Sequence, residues 1–127
     1  MTTAEIGAIL ATVLLAGLAV FQAALAAGAP LGHLAWGGAN RVLPIGFRVA
    51  SAAAIPLYAA IALVLLDRAA VIDLFPDGFV RPAAWVAFGY FCLGVVLNLA
   101  SRSAPERLVM TPLVTALAVA AFLVARG

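Results

Sequence analysis

The sequence predicts an all-α integral membrane protein, a small bundle of four transmembrane helices. Four runs almost free of charge, Ile6 to Gly32, Val49 to Leu66, Pro82 to Ser101 and Leu108 to Ala125, occupy most of the 127 residues. Each is close to the roughly 20 residues that a helix rising about 1.5 Å per residue needs to cross a hydrocarbon core. Hydrophobic residues make up 67% of the chain and charged residues 9%, against about 45–50% and about 25% in soluble domains. A soluble fold of this size has too little interior to hide that much apolar surface. The connections are short, so one domain spans residues 1–127, with helices expected at about 4–27, 48–66, 82–100 and 104–125.

The first run has no Lys or Arg before it, and its apolar stretch exceeds the usual ~7–15 residues of a signal peptide core. Ala24-Leu25-Ala26 resembles a cleavage site, but the run reads as a permanent span. It carries two ladders of small residues at four-residue spacing, Ala8-Thr12-Ala16 and Ala19-Ala23-Ala27. Small residues let helix backbones approach closely, which is how helices associate where lipid removes the hydrophobic drive.

The connection from Gly28 to Phe47 has too much Gly and Pro for a continued helix. Yet Leu31, Leu34, Trp36, Val42, Leu43, Ile45 and Phe47 are too apolar for a free aqueous loop. The segment is expected in the interface, with Trp36 at headgroup depth. The second span, from Arg48, contains Pro56, which predicts a kink. The next connection, Asp67 to Arg81, has Pro76-Asp77-Gly78 as a turn signal. It reads as a solvated loop with a short amphipathic turn at Val71 to Phe75. The third span begins at Pro82, acceptable in a first helical turn. Ser103 followed by Glu106 is a capping-box pattern that starts the fourth span. Glu106 is also placed to pair with Arg102 or Arg107.

The cations are seven Arg with no Lys, for a net charge of +2. With the abundant Ala, this suggests a GC-rich bacterial genome. The arginines are scattered among connections, which excludes a nucleic-acid face. In a four-span chain the first and third connections share one side of the membrane. Arg41, Arg48, Arg102 and Arg107 stand on that side, and Arg68, Arg81 and Arg126 on the other. The positive-inside bias then favours cytoplasmic first and third connections, with both termini outside.

Polar residues within the spans are unevenly spread. Gln22, Ser51, Asn98, Thr111 and Thr115 all fold into the leaflet bordered by the first and third connections. His33, Asn40, Arg41, Arg48, Ser101, Arg102, Ser103, Glu106 and Arg107 flank the same leaflet. Polar groups inside a membrane are costly and often functional. Gln22 and Asn98 are expected to hydrogen-bond across helices. With Trp36, the set outlines a shallow anion-binding vestibule, because Arg forks suit phosphate or carboxylate and the positive ends of the second and fourth helices point there. His33 has no companion ligands, so neither metal nor cofactor is expected. The single Cys92, mid-span, reads as a small buried residue and forms no intramolecular disulfide.

The strings Gly28-Ala29-Pro30-x-Gly32, Trp36-Gly37-Gly38, Leu43-Pro44, Arg48 and Asn98-x-x-Ser101-x-Ser103-x-x-Glu106-Arg107 resemble a family of small four-span bacterial membrane proteins. That resemblance implies the fold and brings no activity with it. Small multidrug resistance transporters carry a glutamate within the first span, where this chain has only Glu5 at its end. Fluoride channels have a Thr/Ser/Phe-rich break that Gly89-Tyr90-Phe91-Cys92-Leu93-Gly94 lacks. The expectation is a non-enzymatic accessory protein that binds lipid or a larger membrane complex through its basic, Gly/Trp-rich face. The alternative is a small-solute or anion transporter acting as a homo-oligomer.

Overall fold

In the computed structural model, which describes residues 1–127, Thr2 and Glu5 close a reciprocal cap at the first helix. The Thr2 hydroxyl accepts from the Glu5 amide at 3.0 Å, and the Glu5 carboxylate accepts from the Thr2 amide at 3.3 Å. Helix α1 then runs Thr3–Ala26, followed by α2 Ile45–Arg68, α3 Asp77–Leu99 and α4 Ala104–Arg126. At 23 or 24 residues, each is about 35 Å long, enough to cross a hydrocarbon core of about 30 Å. There are no strands.

The chain runs up and down, with α1 packed on α2 and α4, and α4 packed on α3. Only 28 of 127 residues are buried, so most of the apolar surface faces outward, as it does where lipid is the solvent. The main core fills the half of the bundle near the termini. There Ala8, Ala11, Leu15, Leu65, Ala84, Leu117, Ala121 and Val124 are at most 2% exposed. A smaller cluster, Leu25, Ala35 and Leu43, sits beneath the first connection. Helix α1 comes close to α4 at Gly7, where a Cβ would stand 3.1 Å from the Ala120 carbonyl oxygen. Gly7 makes this contact, and Ala8 and Ala11 on the same helix are fully buried. Of the expected ladders, Ala16, Ala23 and Ala27 are exposed, so only the beginning of the first one is buried.

Helix bounds differ from the expected spans at two places. Helix α2 starts three residues early, at Ile45, because Pro44 closes the loop and supplies its N-cap position. Helix α3 starts at Asp77 rather than Pro82, because Pro76 takes the N-cap position and Pro82 is carried inside the helix. The second connection is thereby shortened, and no helical turn forms at Val71 to Phe75. This connection is also less solvated than its composition suggests. The Asp67 carboxylate is 9% exposed and accepts the Leu74 and Phe75 amides at 2.7 and 2.6 Å.

Candidate functional site

Helix α1 ends by a left-handed cap. Gly28 has φ +95°, and the Gly28 and Ala29 amides close back on the Leu25 and Ala24 carbonyls, both at 3.0 Å. The Arg48 guanidinium covers this end, its Nε donating to the Ala26 carbonyl at 3.0 Å. A cation at the carbonyl end of a helix is favourably placed.

The chain then folds into a closed loop. The Gly32 amide donates to the Arg41 carbonyl at 2.8 Å, and the Asn40 and Arg41 carbonyls lie where a Cβ of residue 32 would be. Two 3-10 turns, Gly32–Leu34 and Trp36–Gly38, fill the loop. Trp36, Gly37 and Gly38 all have positive φ, at 52°, 81° and 75°. Such a backbone is costly for a Trp side chain and persists where contacts over-determine it. Here the indole N–H donates to the fully buried Ser51 hydroxyl at 3.1 Å, and the ring stacks on Phe47 with centroids 5.2 Å apart.

The third connection closes over this loop. Ser103 fits against the bare Cα of Gly38, and its hydroxyl donates to the His33 carbonyl. The same oxygen accepts from the Glu106 amide at 3.4 Å, so Ser103 starts α4 as expected. The return half of the capping box is absent, since the Ser103 amide donates to the Ser101 hydroxyl instead. Glu106 is not paired with Arg107, an expected partner. Arg107 is turned to the Ser101 carbonyl at 2.7 Å.

The predicted residues thus form one end of the bundle, in two layers. The outer layer holds His33, Asn40, Arg41, Arg48, Ser101, Arg102, Ser103 and Arg107. Within it Arg48 and Arg107 are spent on backbone carbonyls, while Arg41 and Arg102 are exposed. The inner layer is a cavity of about 180 Å³ among all four helices and the loop, lined by Gln22, Trp36, Tyr58, Asn98, Glu106 and Met110 with apolar neighbours. Gln22 bonds across helices, its Nε2 donating to the Tyr58 hydroxyl at 3.2 Å. Asn98 does not, because its Nδ2 donates to the Gly94 carbonyl of its own helix at 2.7 Å. Thr115 likewise donates to its own helix, at the Thr111 carbonyl.

Tyr58 belongs to this layer and escaped the sequence reading. A tyrosine in mid-span needs a partner for its hydroxyl, and Gln22 in the same leaflet was the available signal. Four helices, each long and apolar enough to cross a membrane, define a multi-pass membrane protein with one polar, loop-capped end. Comparison with protein-family models, with curated proteins and with solved structures finds no match.

Proposed function

We propose that the protein is a non-enzymatic accessory protein of the bacterial cell membrane that docks on anionic lipid through its loop-capped end. One observation carries this reading. The cap is knit by hydrogen bonds that occupy Arg48 and Arg107, yet leave Arg41 and Arg102 exposed at the same end of the bundle as an exposed Trp36. Two unpaired guanidinium forks and an indole at the membrane interface suit phosphate headgroups and their depth. In this reading the first and third connections are cytoplasmic, where anionic lipid attracts basic segments.

The test is native mass spectrometry of the full chain released from nanodiscs of mixed phosphatidylglycerol and phosphatidylcholine. Retention of phosphatidylglycerol that falls severalfold in the double variant Arg41→Ala, Arg102→Ala supports the proposal. Equal retention of both lipids, or no effect of the double variant, overturns it. Transport by a homo-oligomer is the second reading, favoured by the cavity between the four helices. Solute flux into liposomes by a symmetric oligomer would establish it in place of the first.

A further inference from the structure

We infer that the cavity beneath the loop binds a primary ammonium group, with the Glu106 carboxylate as its counter-ion. Glu106 is 7% exposed and lines the cavity, and the adjacent Arg107 is turned away from it to the Ser101 carbonyl. A carboxylate facing a cavity at this depth, with no cation of the chain beside it, favours a cationic partner. Of the other polar residues that line the cavity, Gln22 and Asn98 keep an acceptor oxygen free, while the Tyr58 hydroxyl accepts from Gln22 and keeps its own O–H as a donor. Gln22 Oε1 is buried without a donor. The Asn98 amide nitrogen is spent on Gly94, leaving its oxygen open, and the Trp36 N–H is spent on Ser51.

A ligand that satisfies the acceptors of this wall, Glu106 among them, brings N–H donors and positive charge. A primary ammonium has three such donors and accepts none, whereas a quaternary ammonium has none and an anion would face the carboxylate. Trp36 and Tyr58 also line the cavity, and a ring face turned to the ligand would add to the attraction for a cation. The volume of about 180 Å³ equals about six waters of liquid, room for an ammonium on a short alkyl stem. The same chemistry is offered by a free alkylamine and by the ethanolamine head of a phospholipid. The site uses neither Arg41 nor Arg102 of the lipid-docking reading and shares only Trp36 with it.

The experiment uses the full chain in phosphatidylcholine nanodiscs, which contain no primary amine. Trp85→Phe leaves Trp36 as the sole indole reporter. Titration with ethylammonium chloride should give a saturable change in Trp36 emission. Sodium chloride and tetramethylammonium chloride at equal concentration should not. Glu106→Gln should weaken the affinity by about tenfold or more, as expected for loss of a charge-assisted contact. Gln22→Met, similar in volume, should weaken it severalfold and serves as an independent check should Glu106→Gln fail to fold. No saturable response in the parent, an equal response to tetramethylammonium, or unchanged affinity in both variants overturns the inference. In nanodiscs containing phosphatidylethanolamine, a suppressed response to ethylammonium identifies the lipid head as an occupant. An unaltered response identifies the free amine as the ligand.

Discussion

The Trp36 indole and the Ser51 hydroxyl are joined by a 3.1 Å hydrogen bond that fastens the first loop to the second helix. Ser51 is fully buried, and Trp36 holds a left-handed backbone to reach it. The bond and the stack on Phe47 together offset that strain. Ser51→Ala and Trp36→Phe should each destabilise the fold by about 1 kcal/mol, the usual net worth of one such bond. The double variant should cost little more than either alone, because both remove the same contact. Thermal unfolding in detergent micelles measures all three.

Gly32 has a steric rather than a conformational role. The Asn40 and Arg41 carbonyls occupy the space of its missing side chain, and its amide closes the loop on Arg41. Gly32→Ala must open that closure, at about 2–3 kcal/mol, the upper range for overpacking. Hydrogen exchange should show lost protection at the Gly32, Leu34 and Ala35 amides, while the amides of α3 keep theirs.

Asp67 organises the opposite end of the bundle. One carboxylate oxygen accepts two successive amides, Leu74 and Phe75, so the second connection is built on it. Asp67→Ala should destabilise by about 3 kcal/mol, since hydrogen bonds to charged groups are worth about 1.5–3 kcal/mol each and water recovers part of the loss. Asp67→Asn keeps an acceptor oxygen and should cost about half as much. Chemical denaturation in micelles separates the two.

Helix α2 ends on Ala70 with φ +63°, its amide closing on Asp67 and the Val71 amide on Leu66, both at 2.9 Å. This is the cap geometry that α1 makes with Gly28, built on a residue that resists it. A left-handed conformation costs an L-residue about 1–2 kcal/mol, and glycine loses about 0.5–1 kcal/mol more chain entropy on folding than alanine. The difference favours Ala70→Gly, which should stabilise the protein by about 0.5–1 kcal/mol and raise the midpoint of thermal unfolding. Gly28→Ala should lower it.

Much of this architecture was legible in the chain. The uncharged runs located all four helices, because span length and backbone satisfaction in lipid leave few alternatives. The order of the spans placed Gln22, Ser51, Asn98 and Glu106 in one leaflet before any packing was known. Helix starts were less legible where Pro44 and Pro76 compete with Arg48 and Pro82 as boundaries, since a proline caps a helix as readily as it opens the first turn. The pairing of side chains was not legible at all. Arg107 chose a carbonyl over Glu106, and Asn98 chose its own helix. Both choices depend on rotamers and distances that spacing does not encode.

By itself, the sequence determined that this chain spans a membrane four times and that its polar residues gather at one end. Hydrophobicity and the order of the spans are properties of the chain in one dimension, and they suffice for that. Only the tertiary structure decided what the polar end is. The basic residues that suggested an anion vestibule divide between carbonyl caps and the exposed rim. The cavity behind them is lined by Glu106, Gln22 and Asn98, with Gln22 Oε1 buried and unpartnered. Which charge lies inside depends on which side chains find backbone partners first, and that is settled by three-dimensional packing.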